Sequence, residues 1–218
     1  MADTAPPSDR LAARWAAVGT ALGWEPRAAQ RVLAELVARH REPVRRYHTE
    51  LHVAAVLDHL DALVGPEGAG QRLALDLAAF FHDAVYDPRA GDNEERSAEL
   101  AAARLGALGT SWDLIGSVCA LVRATATHTP ATVAGCAEFL DADLAILGSR
   151  PDRYRAYAGQ IREEYAHVPD DRWRAGRREV LEGFQRRSQL FLSDPGMSRF
   201  ERTARENIAS ELAQLQEA

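Results

Sequence analysis

A chain of 218 residues with 46% hydrophobic and 27% charged side chains can bury one sizeable core and is too charged for a membrane protein. Arg, Asp or Glu interrupts every apolar run, which argues against a bilayer-spanning helix, and a net charge of -6 disfavours an extended nucleic-acid surface. The opening MADTAPPSD has acids and prolines where a signal peptide needs a basic start and an apolar stretch, so a cytoplasmic protein is expected.

Asp9 to Leu22 spaces Leu11, Trp15, Val18 and Leu22 three or four apart, the mark of an amphipathic helix, and Gly23 ends it. Pro26 suits the first turn of a second helix, which runs through Val32, Leu33, Leu36 and Val37 to about His40. Pro43 is expected to open a third in the same way, carrying Tyr47, His48, Leu51, His52, Val56, His59 and Leu63. A fourth, from Gln71 to about His82, is apolar almost all round and is expected at the centre. Pro88 and Gly91 make Ala84 to Gly91 a loop. Asp92 with Glu95 reads as the capping box of a fifth helix through Ala98, Leu100 and Leu105.

A sixth helix follows from Ser111 to about Thr125. The polar Thr125 to Pro130 then precedes a helix through Phe139, Leu140, Leu144, Ile146 and Leu147. Pro151 to Ala166 and Asp171 to Phe191 give two more, and Ser198 with Glu201 reads as the capping box of a terminal helix. No alternating Val/Ile/Thr run bounded by turns is present, so the expected fold is all-α. Cys119 and Cys136 lack CxxC or zinc-finger spacing and read as buried, reduced thiols. The sequence has no lysine, which leaves arginine as the only strongly basic side chain for phosphate groups.

Three segments carry residues suited to a metal. His48 and His52, four apart, would share one face of a helix, the geometry of a two-histidine pair. His82 and Asp83 diverge by about 100° on a regular helix, yet at a helix end they can converge on one cation. An aspartate there otherwise faces the negative end of the helix dipole, a conflict that a cation relieves. Asp141 and Asp143 point to roughly opposite sides of a helix, so one of them is expected to coordinate, and spacing does not choose between them. Imidazole and carboxylate together suit borderline and hard divalent ions, and four protein ligands leave octahedral positions for water.

The order His52, then His82-Asp83, then Asp141 or Asp143 resembles the HD-domain superfamily of metal-dependent phosphohydrolases. Further motifs are Arg46-Tyr47-His48, Phe81-His82-Asp83 through Asp87, Asp92-Asn93-Glu94 with Ser97-Ala98, and LDADLAILG from Leu140 to Gly148. Ile161-Arg162 with Glu164-Tyr165, Gly176-Arg177, and Ala204-Arg205 with Asn207 complete the set. With them the span from Trp15 to Leu215 resembles a bacterial family of predicted HD-superfamily phosphohydrolases. The resemblance implies a disordered stretch 1–8 and a single HD-type helical bundle over 9–218. Its metal-site core would lie at about 43–150 and its additional C-terminal helices at about 151–217.

The same resemblance implies His52, His82, Asp83 and either Asp143 or Asp141 as ligands of a divalent ion, one of Mn, Co, Fe, Mg, Zn or Ni. In the related guanosine tetraphosphate hydrolases a Glu-Asp pair follows the His-Asp motif; here Tyr86-Asp87 stands in its place, which leaves Asp87 as general base. Asp83 and Glu94 are the other catalytic assignments, and Glu95 competes as a cap. His48, Arg46, His128, Arg162 and Arg177 are expected to meet substrate, with Arg45 and Arg178 as further phosphate clamps. His128 is alternatively an extra ligand or a turn cap, and no role is expected for His59.

The implied function is a metal-dependent phosphohydrolase acting on a nucleotide or other small phosphate ester, with a homodimer as a possible assembly. An alternative is a catalytically silent module that binds a nucleotide or partner and keeps its metal for structure. A third reading, oxygen-dependent cleavage at a two-iron site, needs extra ligands that only His48, His128 and Glu94 could supply.

Overall fold

The structure, a computed structural model, describes residues 6–217. Residues 1–5, most of the stretch expected to be disordered, lie outside the described residues, and Pro7 and Ser8 already belong to the first helix. The helices are α1 (Pro7–Ala21), α2 (Pro26–His40), α3 (Glu50–Leu63), α4 (Arg72–Phe81) and α5 (Asn93–Ala107). They continue as α6 (Trp112–Ala124), α7 (Cys136–Leu144), α8 (Pro151–Glu164), α9 (Asp170–Arg186) and α10 (Asp194–Glu217). Short 3-10 turns cover Pro66–Gln71 and Ala145–Gly148, and no strand occurs among the described residues. The fold is therefore all-α, and no described helix is long and apolar enough to cross a membrane.

The apolar run of α4 does what its composition dictates. Residues 74–81 are buried, and the helix packs against α1, α3, α5, α6 and α7. Trp15 of α1 is wedged against Phe80 and Trp24 at ring separations of 5.0 and 5.2 Å, and its indole N–H donates to the Ala29 carbonyl at 2.9 Å. A second apolar cluster joins Tyr154 of α8 and Leu181 of α9 to Phe191, Ala204 and Ile208. Phe200 of α10 touches both clusters. Cys119 and Cys136 are buried free thiols.

Three local expectations give way to long-range contacts. The third helix begins at Glu50 rather than near Pro43: the Thr49 hydroxyl caps it, and Tyr47 and His48 lie in the preceding turn. His48 and His52 are thus not one helical pair. Glu95 makes no capping bond; its carboxylate forms a two-point pair with Arg123, both contacts at 2.6 Å. The terminal helix starts at Asp194, and Glu201 accepts from the backbone N–H groups of Leu190 and Phe191 instead of capping its own helix.

Candidate metal centre

The three segments singled out by the sequence meet where α3, the end of α4 and α7 converge. His52 and His82 aim their Nε2 atoms at each other across 3.0 Å. Asp83 Oδ2 stands 3.1 Å from His82 Nε2 and 3.5 Å from His52 Nε2. Asp143 Oδ1 stands 3.0 Å from His52 Nε2 and 3.5 Å from His82 Nε2. His52, His82 and Asp83 form a group able to hold a metal ion, and Asp143 brings a fourth donor to both imidazoles.

The donor chemistry fits a cation. The Nδ1 of His82 lies 3.0 Å from the Ala79 carbonyl, which can only accept, so Nδ1 carries the proton and a neutral ring turns its Nε2 lone pair toward the cluster. Donors about 2.1 Å from a shared ion stand about 3.0 Å apart at right angles and about 3.4 Å apart in a tetrahedron. The separations above fall in that range. Two carboxylates facing two lone pairs also leave net negative charge at the C-terminal end of α4, where the helix dipole adds to it.

The titration tendencies have the same sign. Burial opposes ionisation of Asp83, but His82 and His48 beside it hold its carboxyl well below the usual carboxylate range. Burial likewise opposes Asp143, and bonds to His128, His52 and His82 override it. For His82 burial favours the neutral ring, yet Asp83 and Asp143 raise its proton affinity well above normal. The pocket attracts positive charge.

A second ring of contacts fixes these groups. Glu164, the last residue of α8, is buried, and its Oε1 accepts the consecutive backbone N–H groups of Arg46, Tyr47 and His48 at 2.7, 2.8 and 3.1 Å. Its Oε2 meets His48 Nδ1 and the Tyr86 hydroxyl, each at 2.7 Å. Burial alone would raise the Glu164 carboxyl, but the His48 contacts and the backbone donors bring it down to about 2. His48 in turn is raised: burial works against its charge and is outweighed by Asp83 and Glu164. Arg45, with a fully buried side chain, donates to the carbonyls of His48, Asp83 and Ala84, tying the turn before α3 to the turn after α4.

His128 lies outside the four donors but touches them. Its Nε2 stands 3.0 Å from Asp143 Oδ2, the oxygen turned away from the histidine pair. Its backbone is left-handed at φ 48, the one positive-φ position other than glycine among the described residues. Arg187 stabilises that turn by donating to the Thr127 and His128 carbonyls.

Other sequence-derived assignments fall elsewhere. Asp141 is fully buried away from the histidines and accepts from Leu192 N, Ser193 N and Ser193 Oγ, so it fastens the start of α10. Gly196 passes so close that a Cβ would collide with the Asp141 carboxylate. Asp87 is exposed; its carboxylate accepts from Arg89 N and its backbone pairs with the Asn93 amide, so it shapes a turn instead of meeting the cluster.

The arginines are also committed. Arg162 donates to the Tyr165 and Val168 carbonyls and to Asp170, and Arg177 is buried in a two-point pair with Glu211. Arg46 curls back on the Pro43 and Arg45 carbonyls and pairs with exposed Glu163. None of the three contacts the cluster. Glu164 and Arg187 carried no role in the sequence reading. Glu164 could have been found, because an anion on the last residue of a helix meets the same dipole conflict as Asp83.

Two clefts reach this region. The smaller, of about 400 Å³, is lined by His52 and Asp143 with Arg46, His59 and Arg153. The larger, of about 830 Å³, is lined by His48, His128 and Glu94, and by aromatic residues of α8 and α9 and the turn between them. Tyr157 lines both. No protein-family model matches this chain, and the comparisons with curated proteins and with solved structures likewise give no match.

Proposed function

We propose that the chain is a metal-dependent hydrolase of small phosphate esters in which His52, His82, Asp83 and Asp143 hold one divalent cation. The reading is carried by the convergence of two imidazole nitrogens and two carboxylates within 3.0–3.5 Å contacts beside open clefts. When bound, such a cation supplies a water of near-neutral pKa and a Lewis acid for a phosphoryl oxygen. A set of two nitrogens and two oxygens favours Mn, Fe, Co, Ni or Zn over Mg, which prefers oxygen ligands and water.

The chain's own residues divide the remaining work. Glu164 holds Nδ1 of His48, so its other ring nitrogen, which has no protein partner among the described residues, is left for a phosphate oxygen at the edge of the larger cleft. His128 steadies the outer oxygen of Asp143. The Asp83 carboxylate has no hydrogen bond outside the cluster among the described residues and takes the water-orienting role in preference to the outward-facing Asp87.

A second reading, a silent metal-holding module, is favoured by one observation. Tyr86 stands where a catalytic acid would precede Asp87, and its hydroxyl is committed to Glu164. Phosphate release from a panel of phosphate monoesters and nucleotides, with Mn²⁺, Co²⁺ or Mg²⁺, separates the two. Turnover abolished by a chelator supports the hydrolase. Tight binding with no turnover under any metal supports the silent module and overturns the hydrolase.

A further inference from the structure

We propose that the smaller cleft contains a second anion-binding subsite, built by Arg153 and His59, and that the substrate is a phosphate ester whose organic part ends in a further phosphate or carboxylate; the inference rests on the cluster being the phosphate-handling end. Of the four cluster residues, His52 and Asp143 line this cleft, and none lines the larger one. Two helical faces form its walls. His52, Ala55 and His59 follow one another by three and four on α3, and Arg153, Ala156 and Gln160 do the same on α8. Seven residues of helix set His59 about 10 Å from His52, and four alanines among the lining residues leave room for a ligand.

The charge of this cleft runs against that of the chain. Acidic residues outnumber basic ones by 32 to 26, yet among the described residues the only carboxylate in the lining is Asp143, which the cluster occupies. The Arg153 guanidinium makes no hydrogen bond or ion pair among the described residues, whereas Arg46, the other arginine of the lining, is committed to backbone carbonyls and Glu163. Arg153 also stands in the first turn of α8, where the helix dipole disfavours a cation and an anion beside it relieves the conflict. Burial lowers the proton affinity of His59 and Arg153 lowers it further, so at neutral pH the ring is uncharged and has an N–H to donate. The ring is braced edge-on against Phe200 at 5.5 Å. Asp58, the acid that offsets Arg153 at His59, is itself held by Arg10 in a two-point pair at 2.7 and 2.9 Å.

These groups select the ligand chemistry. A guanidinium fork and an imidazole N–H are both donors, and phosphate and carboxylate oxygens are the acceptors that a guanidinium meets by two-point contact. A substrate with a single phosphate, a nucleoside monophosphate included, leaves the Arg153 end unused. The volume of about 400 Å³ falls toward the lower end of the span of ligand clefts, about 300–1,000 Å³, which favours a short chain or a single ring between the two anions.

The test is calorimetric titration of the full chain, with Mn²⁺ present, using three linear probes: the monophosphate and the bisphosphate of a butanediol with hydroxyls at its two ends, and the phosphate ester of the matching terminal hydroxypentanoate. At least one probe with two anions is expected to bind about 10-fold or more tighter than the monophosphate, the scale of one charge-assisted hydrogen bond. Which of the two does so tells phosphate from carboxylate. Arg153→Gln should remove that preference. Arg155→Gln takes the same charge from α8 outside this cleft and should leave the preference intact. Both arginines are exposed and without an ion pair among the described residues, so neither substitution threatens the fold. Equal binding of all three probes, no binding of either two-anion probe, a preference intact in Arg153→Gln or one lost in Arg155→Gln overturns the inference. Phosphate release from the same probes reports on the hydrolase separately: a preference without release leaves the subsite standing and removes the hydrolase, and release from the monophosphate with no preference does the reverse.

Discussion

Glu164 holds His48 from 116 residues away: one oxygen meets the ring nitrogen at 2.7 Å while the other gathers the backbone N–H groups of residues 46–48. A single buried carboxylate thus sets both the path of the turn before α3 and the orientation of the His48 imidazole.

Glu164→Gln is expected to keep the backbone contacts through its remaining oxygen and to place an NH₂ group against His48 Nδ1 and the Tyr86 hydroxyl. Activity should fall about 10- to 100-fold, the usual cost of losing a residue that orients a metal-site histidine. Metal stoichiometry should stay at the wild-type value. An unchanged kcat would mean that His48 needs no such support.

The two aspartates of α7 should separate cleanly. Asp143→Asn is expected to weaken divalent-metal binding at least about 10-fold with little loss of thermal stability, because it removes a carboxylate from a crowded acidic site. Asp141→Asn should bind metal normally but lose about 1–3 kcal/mol, since one amide oxygen cannot serve three donors. Metal titration and thermal melts check both, and the opposite pattern would reassign the ligand.

How far the sequence reveals this arrangement depends on how local each cause is. The central place of α4 follows from a run that is apolar almost all round, and the His82-Asp83 pair stands out because an acid at a helix C-terminus is electrostatically misplaced. The start of α3 is different. Pro43 is a good local signal for a helix, but the N–H groups of residues 46–48 are captured by Glu164, which no nearby residue reveals. Which of Asp141 and Asp143 faces the histidines likewise depends on a distant contact, since Asp141 is taken up by Ser193, 52 residues further on. The Ser198–Glu201 pattern fails for the same kind of reason, because Glu201 is occupied by the backbone at Leu190 and Phe191.

His40 gives the fold a pH dependence. It is buried 3% exposed, with Nδ1 bonded to the Leu36 carbonyl and Nε2 without a partner, and burial with Arg45 nearby lowers it from 6.5 to about 3. Above pH 6.5 the ring is neutral folded or unfolded. Between 6.5 and about 3 only the unfolded chain takes up the proton, so stability should fall as pH drops, by up to about 1.4 kcal/mol per unit. Denaturant melts of His40→Leu across this window should show a flatter slope than wild type; parallel slopes would mean that the ring is protonated in the fold.

The central claim is that His52, His82, Asp83 and Asp143 hold a common divalent ion, and elemental analysis with metal titration tests it most directly. Wild-type protein should retain one ion per chain after dialysis, and His82→Ala and Asp83→Ala should each retain none while keeping a cooperative thermal transition. Wild-type stoichiometry in both folded variants would contradict the account.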